Sequence, residues 1–341
     1  MKVSVVGAGV AGLTCAVELA ERGVDVEVLE RSASLGAAAC SWQAGGMLAP
    51  WCERENAEPL VTKLGQEAIG WWVDRFPRTV RNGTLVVAHA RDAADLNEFA
   101  GRTERFERVD AQRIAELEPD LAERFDQGLY FPHEAHLDPR AALEALRLRL
   151  VQLGAHVRFG LEVTPQLIRD LQAANRTVVC ASGLAAREEL KDLRGVKGEM
   201  VLLRIREISL KRPVRVLHAR LPIYIVPRDD GLFMVGATML ESDEPRRVSV
   251  RSLLELLTAT YALHSAFGEA EVVEIGSGVR PAFMDNLPRI RWREGVLHVN
   301  GFFRHGFLLA PALARMAADV LLRGARFPEV MDEDRPERRR A

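Results

Sequence analysis

Cysteine is scarce in this sequence and widely spread. Cys15, Cys40, Cys52 and Cys180 are all there are in 341 residues, and no two form a C-x-x-C pair. That spacing argues against a zinc centre and a disulfide framework, and it fits a reducing cytoplasm. Charge of one sign is also lacking. With 46 Lys and Arg against 48 Asp and Glu, the formal net charge is −2. This gives no electrostatic case for a nucleic-acid partner. No apolar run reaches about 18 residues without a charge, so no membrane span is expected. Internal repeats and low-complexity linkers are absent as well. The length is large for a single core and points to two lobes.

What is present is patterned. Lys2-Val-Ser-Val-Val6 is short and β-branched, as in a buried strand. Residues 10–22 suit a helix with Leu13, Val17 and Ala20 on one face and Gly23 at its end. Residues 25–29 alternate as a second strand. Residues 3–20 have some look of a signal peptide, but their spaced glycines and Glu18 favour strand plus helix. Strand, helix and strand within about 30 residues require a parallel pair.

Further along, residues 36–52 are rich in Gly, Ala and Ser and read as a functional loop. A helix is expected over 60–75, and a hairpin where Asn82-Gly83 precedes Thr-Leu-Val-Val. Helices are expected over 92–100, 110–118 and 138–153, with Asp138 capping the last. Strands are expected at 155–159 and 177–181, and several antiparallel strands over 199–238. A helix over 249–267, strands near 271–280 and 296–300, and a final helix from His305 complete the chain. The charged tail, 326–341, reads as a frayed end.

Gly7-Ala8-Gly9-Val10-Ala11-Gly12 links the first strand to the first helix. Gly7 permits the tight turn, Gly9 lets backbone approach a pyrophosphate, and Gly12 allows close helix–strand packing. The phosphates would lie at the positive end of the helix. Glu30, at the end of the second strand, is placed to accept hydrogen bonds from a ribose diol. This points to a dinucleotide, and the motif alone does not choose between NAD and FAD. FAD is favoured by the N-terminal position of the motif, by Arg31 after Glu30, by Thr177–Gly183 reading as a late strand, and by Gly301-Phe-Phe-Arg-His-Gly-Phe307 before the last helix.

Several short segments then carry a resemblance. Gly45-Gly-Met-Leu-Ala-Pro50, Lys197-Gly-Glu-Met200, Tyr224-Ile-Val-Pro-Arg228, Gly236-Ala-Thr-Met239, Gly278-Val-Arg-Pro281 and Gly301–Pro311, with the glycine turn and Glu30, resemble the D-amino-acid oxidase superfamily. Within it they resemble the glycine oxidase branch, which serves thiamine biosynthesis. The resemblance covers nearly the whole chain. It implies an FAD held without a covalent bond, oxidation of glycine to its imine, and reoxidation by O2 to H2O2. It also implies, by position, that Arg280 pairs with the substrate carboxylate, that Tyr224 and Arg304 line the substrate site, and that Met47 and Met239 form its wall. Implied FAD contacts are Gly7, Gly9, Val10, Ala11, Gly12, Glu30, Arg31, Cys40, Ser41, Gly45, Gly46, Met47, Val163, Phe302, Phe303, Arg304, His305, Gly306, Phe307 and Leu308. Related chains with a covalent flavin carry a cysteine where this one has Ala282, Phe283 and Met284. Trp42-Gln43 and Pro50-Trp-Cys-Glu53 make a bulkier loop than the simplest version of the pattern, which bears on pocket size.

The expected fold is α/β: a Rossmann-like FAD-binding domain from discontinuous segments (1–80, 140–190, 285–325) and a mixed, largely antiparallel substrate domain (81–139, 191–284). The expected partners are a small amino acid and O2, with a homo-oligomer and a functional link to a thiazole synthase left open. Sarcosine, proline or a D-amino acid stands as an alternative substrate, and a nucleotide-binding protein without oxidase activity as a reading of a different class. His133-Glu-Ala-His136 lacks the H-E-x-x-H spacing and a third ligand nearby, so no metal is expected.

Overall fold

The computed structural model describes residues 1–218, 222–244 and 247–331. The chain forms two units from interleaved segments: residues 1–42, 140–195 and 280–341 in one, and 43–139 and 196–279 in the other. Most of the expected charged tail, 332–341, lies outside the described residues.

The first unit is built on a six-stranded sheet. Its order is Arg289–Arg293, Val296–Asn300, Arg176–Cys180, Lys2–Val6, Asp25–Leu29 and His156–Arg158. The strands are parallel except at one edge, where Arg289–Arg293 runs antiparallel to its neighbour. Val3, Val5, Val28, Val178 and Val179 are fully buried, which is why these strands read as short apolar runs. The first helix, Val10–Glu21, packs against the last, Gly306–Arg323.

The second unit carries a nine-stranded mixed sheet. Leu232–Gly236 lies antiparallel between Arg194–Arg204 and Ile223–Pro227. Residues Val201, Leu203, Ile225, Phe233 and Val235 anchor an apolar core on one side.

Several expectations are corrected. The stretch 60–75 is two helices, Pro59–Gly65 and Ala68–Arg75. Asn82-Gly83 makes no hairpin. Thr84–Ala88 instead pairs antiparallel with Gln127–Phe131 and parallel with Val214–Leu217, both distant in sequence. Gly83 is needed there for another reason: its φ is +77°, and a Cβ would stand 2.6 Å from the Phe131 carbonyl oxygen. The parallel pair makes this sheet mixed and otherwise largely antiparallel, as expected. Arg289–Arg293 was not expected as a strand, because its arginines mask the alternation. Arg289 and Arg291 are buried through ion pairs with Asp285 and Asp192. The domain boundaries shift as well. Residues 43–80 group with the second unit, where Cys52 and Trp51 join a core with Val86, Leu129 and Phe131. Residues 280–284 group with the first, where Phe283 packs beside Val178 and Leu190.

Candidate functional site

In the first unit the glycine turn has the geometry its residue types require. Gly7 has φ +101°, and a Cβ there would stand 2.7 Å from the Ala181 carbonyl oxygen. A Cβ at Gly12 would collide with the carbonyl of Gly7. Gly9 differs: a Cβ there meets only Ser41 Oγ at 3.5 Å and Ala39 Cβ at 3.8 Å. It therefore faces a gap between the turn and the loop 36–42 that any larger side chain would fill. Ser41 Oγ accepts a hydrogen bond from the Val10 amide at 3.3 Å.

Glu30 closes the other side of the turn. Its carboxylate accepts from the amide of Ala8 and from the amide of Ser32, both at 2.8 Å. The chain beyond His156–Arg158 runs alongside, with the Gly160 and Leu161 amides donating to the carbonyls of Ser32 and Glu30. That brings Val163 close in sequence to a segment bonded to Glu30. Arg31 is exposed beside it.

A second helix N-terminus lies close by. A Cβ on Gly306 would sit 3.2 Å from Val10 Cγ1, so the first and last helices begin side by side. Neither N-cap residue, Gly9 or His305, caps its helix with its own side chain, while Ser41 takes the Val10 amide. Two adjacent helix N-termini give a region of positive potential suited to phosphate or to developing negative charge.

Arg280 belongs to the same unit. It sits near the end of the strand Glu271–Ala282, half-buried. The next residue, Pro281, accepts from the Phe303 amide at 2.9 Å, which fixes Arg280 beside the Phe303–Arg304 segment. Phe303 has φ +51° and His305 is buried edge-on to its ring. The Cys40 thiol is pushed up by burial, and the Arg280 charge beside it opposes that push. The intervening loop is braced by Trp42, whose ring covers Gly36 and stacks under the Arg140 guanidinium.

The second unit gathers Tyr224, Gly45, Gly46 and Met47. A Cβ at Gly45 would stand 2.8 Å from Tyr224 Cε2, and one at Gly236 would stand 3.0 Å from its hydroxyl oxygen. Both glycines make room for the phenol ring. Met47 and Tyr224 pack on one cluster with Met200, Leu202, Val226 and Met234. Arg228 donates to the Ala44 carbonyl at 3.0 Å and so ties down the start of this segment. Met239 is 58% exposed and stands apart from that cluster.

The comparisons agree with this architecture. The family model described as FAD dependent oxidoreductase (DAO) matches residues 2–320. The chain belongs to this family. The putative thiamine biosynthesis oxidoreductase ThiO of Rhizobium etli is 51% identical over 340 residues, covering 99% of both chains. The bifunctional protein ThiO/ThiG of a Synechocystis strain is 28% identical, over 94% of this chain and 51% of that protein. Among solved structures, glycine oxidase from Geobacillus kaustophilus superposes with TM-score 0.77 at 25% identity, covering 94% of each chain.

The FAD-dependent oxidoreductase fold thus has a first unit whose residues fit its cofactor. The gap at Gly9, the paired helix N-termini and the Glu30 carboxylate are the groups that would hold pyrophosphate and ribose when FAD is bound. Sequence reasoning missed the bracing of the loop by Gly36, Trp42 and Arg140, and the buried Glu134 carboxyl that accepts from the amides of Trp51 and Cys52. The aromatic–glycine pairing of Gly36 with Trp42 leaves no periodic signal. Glu134 was visible only as part of a failed metal motif, and no metal-binding group of three ligands exists among the described residues. No described helix is long and apolar enough to cross a membrane.

Proposed function

We propose that this FAD-dependent oxidoreductase oxidises glycine, or an amino acid of similar size, to its imine. Bound FAD would accept the hydride from Cα and pass two electrons to O2, giving H2O2. The residues of this chain would supply alignment. The observation that carries the reading is Arg280: a half-buried residue, its backbone held where the Phe303 amide donates to the Pro281 carbonyl, in the unit that also holds the glycine turn.

A guanidinium binds a carboxylate through two parallel hydrogen bonds and so fixes orientation as well as position. With the carboxylate held and the pocket wall limiting rotation about the Cα–C bond, one α-hydrogen of glycine can be turned toward the flavin. The amine must be neutral, so that its lone pair assists that departure, and it loses one proton as the imine forms. No side-chain base is required. We assign Arg304, next to Phe303, to the same region. In the second unit, we assign Tyr224 and Met47 to the substrate wall on their shared packing, and Met239 on its position in the sequence pattern.

The cofactor is held without a covalent bond on this reading, and acid precipitation should leave the yellow colour in solution. The names of the Rhizobium and Synechocystis relatives support a role in supplying the imine for thiazole formation in thiamine biosynthesis. Four unpaired, scattered cysteines support a cytoplasmic site of action. The direct test is H2O2 production with glycine, sarcosine, D-alanine and D-proline. Release with glycine foremost is the expected result. No peroxide with any of them would refute the proposal.

A further inference from the structure

Glu134 is buried, 1% exposed, in the second unit. No salt bridge joins it to a cation among the described residues, and one of its oxygens serves two backbone amides. Oε1 accepts from Trp51 N at 3.0 Å and from Cys52 N at 2.7 Å. These amides begin the one-turn helix Pro50–Glu53, directly after the Gly45–Ala49 segment. The neighbours of Glu134 hold that segment in turn. Met47 pairs with His136 and Leu48 with Ala135, and the Leu137 amide donates to the Gly46 carbonyl at 3.0 Å. Residues 134–137 therefore grip this segment at residues 46–48 and again at 51–52.

The far end of the same helical turn is held as well. Arg215, 6% exposed, lies 3.4 Å from the Cys52 carbonyl oxygen and pairs with Glu53 at 3.5 Å and Glu55 at 3.6 Å. A carboxyl group on the amides and a guanidinium on the carbonyl fix the turn from both ends.

We propose that Glu134 is the positioning residue that sets the Met47 wall, and through it the size of amine the enzyme accepts. This rests on the assignment of Met47 to the substrate wall. Glu134 does not touch substrate; it acts through the amides of residues 51 and 52. The surroundings of the carboxyl disfavour its ionisation. Burial pushes it up to about 8, with Glu53 raising it and the Cys52 amide lowering it. Thr84 Oγ1 stands beside it, and neither that hydroxyl nor Glu134 Oε2 makes a well-formed hydrogen bond. The charged or titratable groups set against Glu134 are Glu53 and Cys52.

The test uses the FAD-loaded full chain and the variants Glu134→Ala and Glu134→Gln. Hydrogen exchange at the Trp51 and Cys52 amides reads the clamp without turnover. Glu134→Ala should speed it about tenfold relative to core amides such as Val3, because the local frame has lost its acceptor. The preference for glycine over N-ethylglycine should shift about fivefold, through KM with kcat little changed. Glu134→Gln keeps an acceptor and should match wild type in both at pH 7. Wild-type exchange in Glu134→Ala, or an unchanged preference, overturns the proposal. If Glu134→Ala does not fold, pH decides. The wild-type preference should change above pH about 8 as the carboxyl ionises, while that of Glu134→Gln stays level. Parallel curves overturn the proposal. Should the wild type oxidise no amine, the catalytic reading fails alone, and exchange still judges the clamp.

Discussion

The carboxylate of Glu30 reaches back across the glycine turn to the amide of Ala8 at 2.8 Å. That bond links the end of the second strand to the loop between the first strand and first helix. It also leaves the outer lone pairs of the carboxylate for a ribose diol. Glu30→Ala should therefore weaken FAD binding by about 1–3 kcal/mol, the scale for leaving buried polar groups unpaired. Flavin fluorescence titration of the apoprotein measures it. An unchanged Kd would remove Glu30 from the site.

Gly9 and Gly12 should fail in different ways. Gly9→Val fills the gap facing Ser41 and Ala39 without meeting backbone. The protein should fold and lose FAD. Gly12→Ala drives a Cβ into the Gly7 carbonyl and should disturb the fold itself. The ratio of flavin to protein absorbance, read beside far-UV circular dichroism, separates the two. Full FAD content in Gly9→Val would contradict the cradle.

Much of this unit was legible because its contacts are local. Val3, Gly7, Leu13 and Glu30 fall within one strand–helix–strand unit, where period and spacing carry the geometry. Arg280 and Phe303 were legible only through the order of short motifs, since nothing local indicates that Pro281 meets Phe303. The second unit was less readable. Thr84–Ala88 finds its partners at Gln127–Phe131 and Val214–Leu217, and the Asn82-Gly83 signal misled because turn chemistry describes neighbours in sequence. Glu134 shows the same limit: two amides from residues 51 and 52 define its role, and no spacing rule connects them.

Arg212 and Glu118 form a buried ion pair at 2.8 Å, with side-chain exposures of 8% and 0%. Arg212 also donates to the carbonyls of Leu117 and Asn82. Arg212→Ala leaves the Glu118 carboxylate without its cation, with only the Lys211 amide as donor, and should cost about 3–5 kcal/mol of stability. The double variant Glu118→Leu with Arg212→Met should recover much of that loss. Urea unfolding of the two variants beside wild type checks it, and a double variant no more stable than Arg212→Ala would contradict the coupling.

Stability should fall in mild acid. His298 is buried in the first unit's sheet, and burial, aided by Arg293 and Arg291, lowers its pKa to about 4. The unfolded chain then binds the proton first. The contribution of His298 is fully present above its ordinary value of about 6.5. It is lost as pH falls toward 4, at about 1.4 kcal/mol per pH unit. His298→Leu should flatten the stability profile in that window and leave it unaltered above pH 7. A parallel profile would show that the imidazole is not buried as described.

The central claim is that Arg280 holds the substrate carboxylate in an FAD-loaded protein, and steady-state kinetics of Arg280→Ala with glycine tests it most directly. The account predicts full flavin content and a loss of about 2–5 kcal/mol in kcat/KM, carried mainly by KM, as for a broken desolvated charge pair. A variant with normal flavin and an unchanged KM for glycine would contradict it.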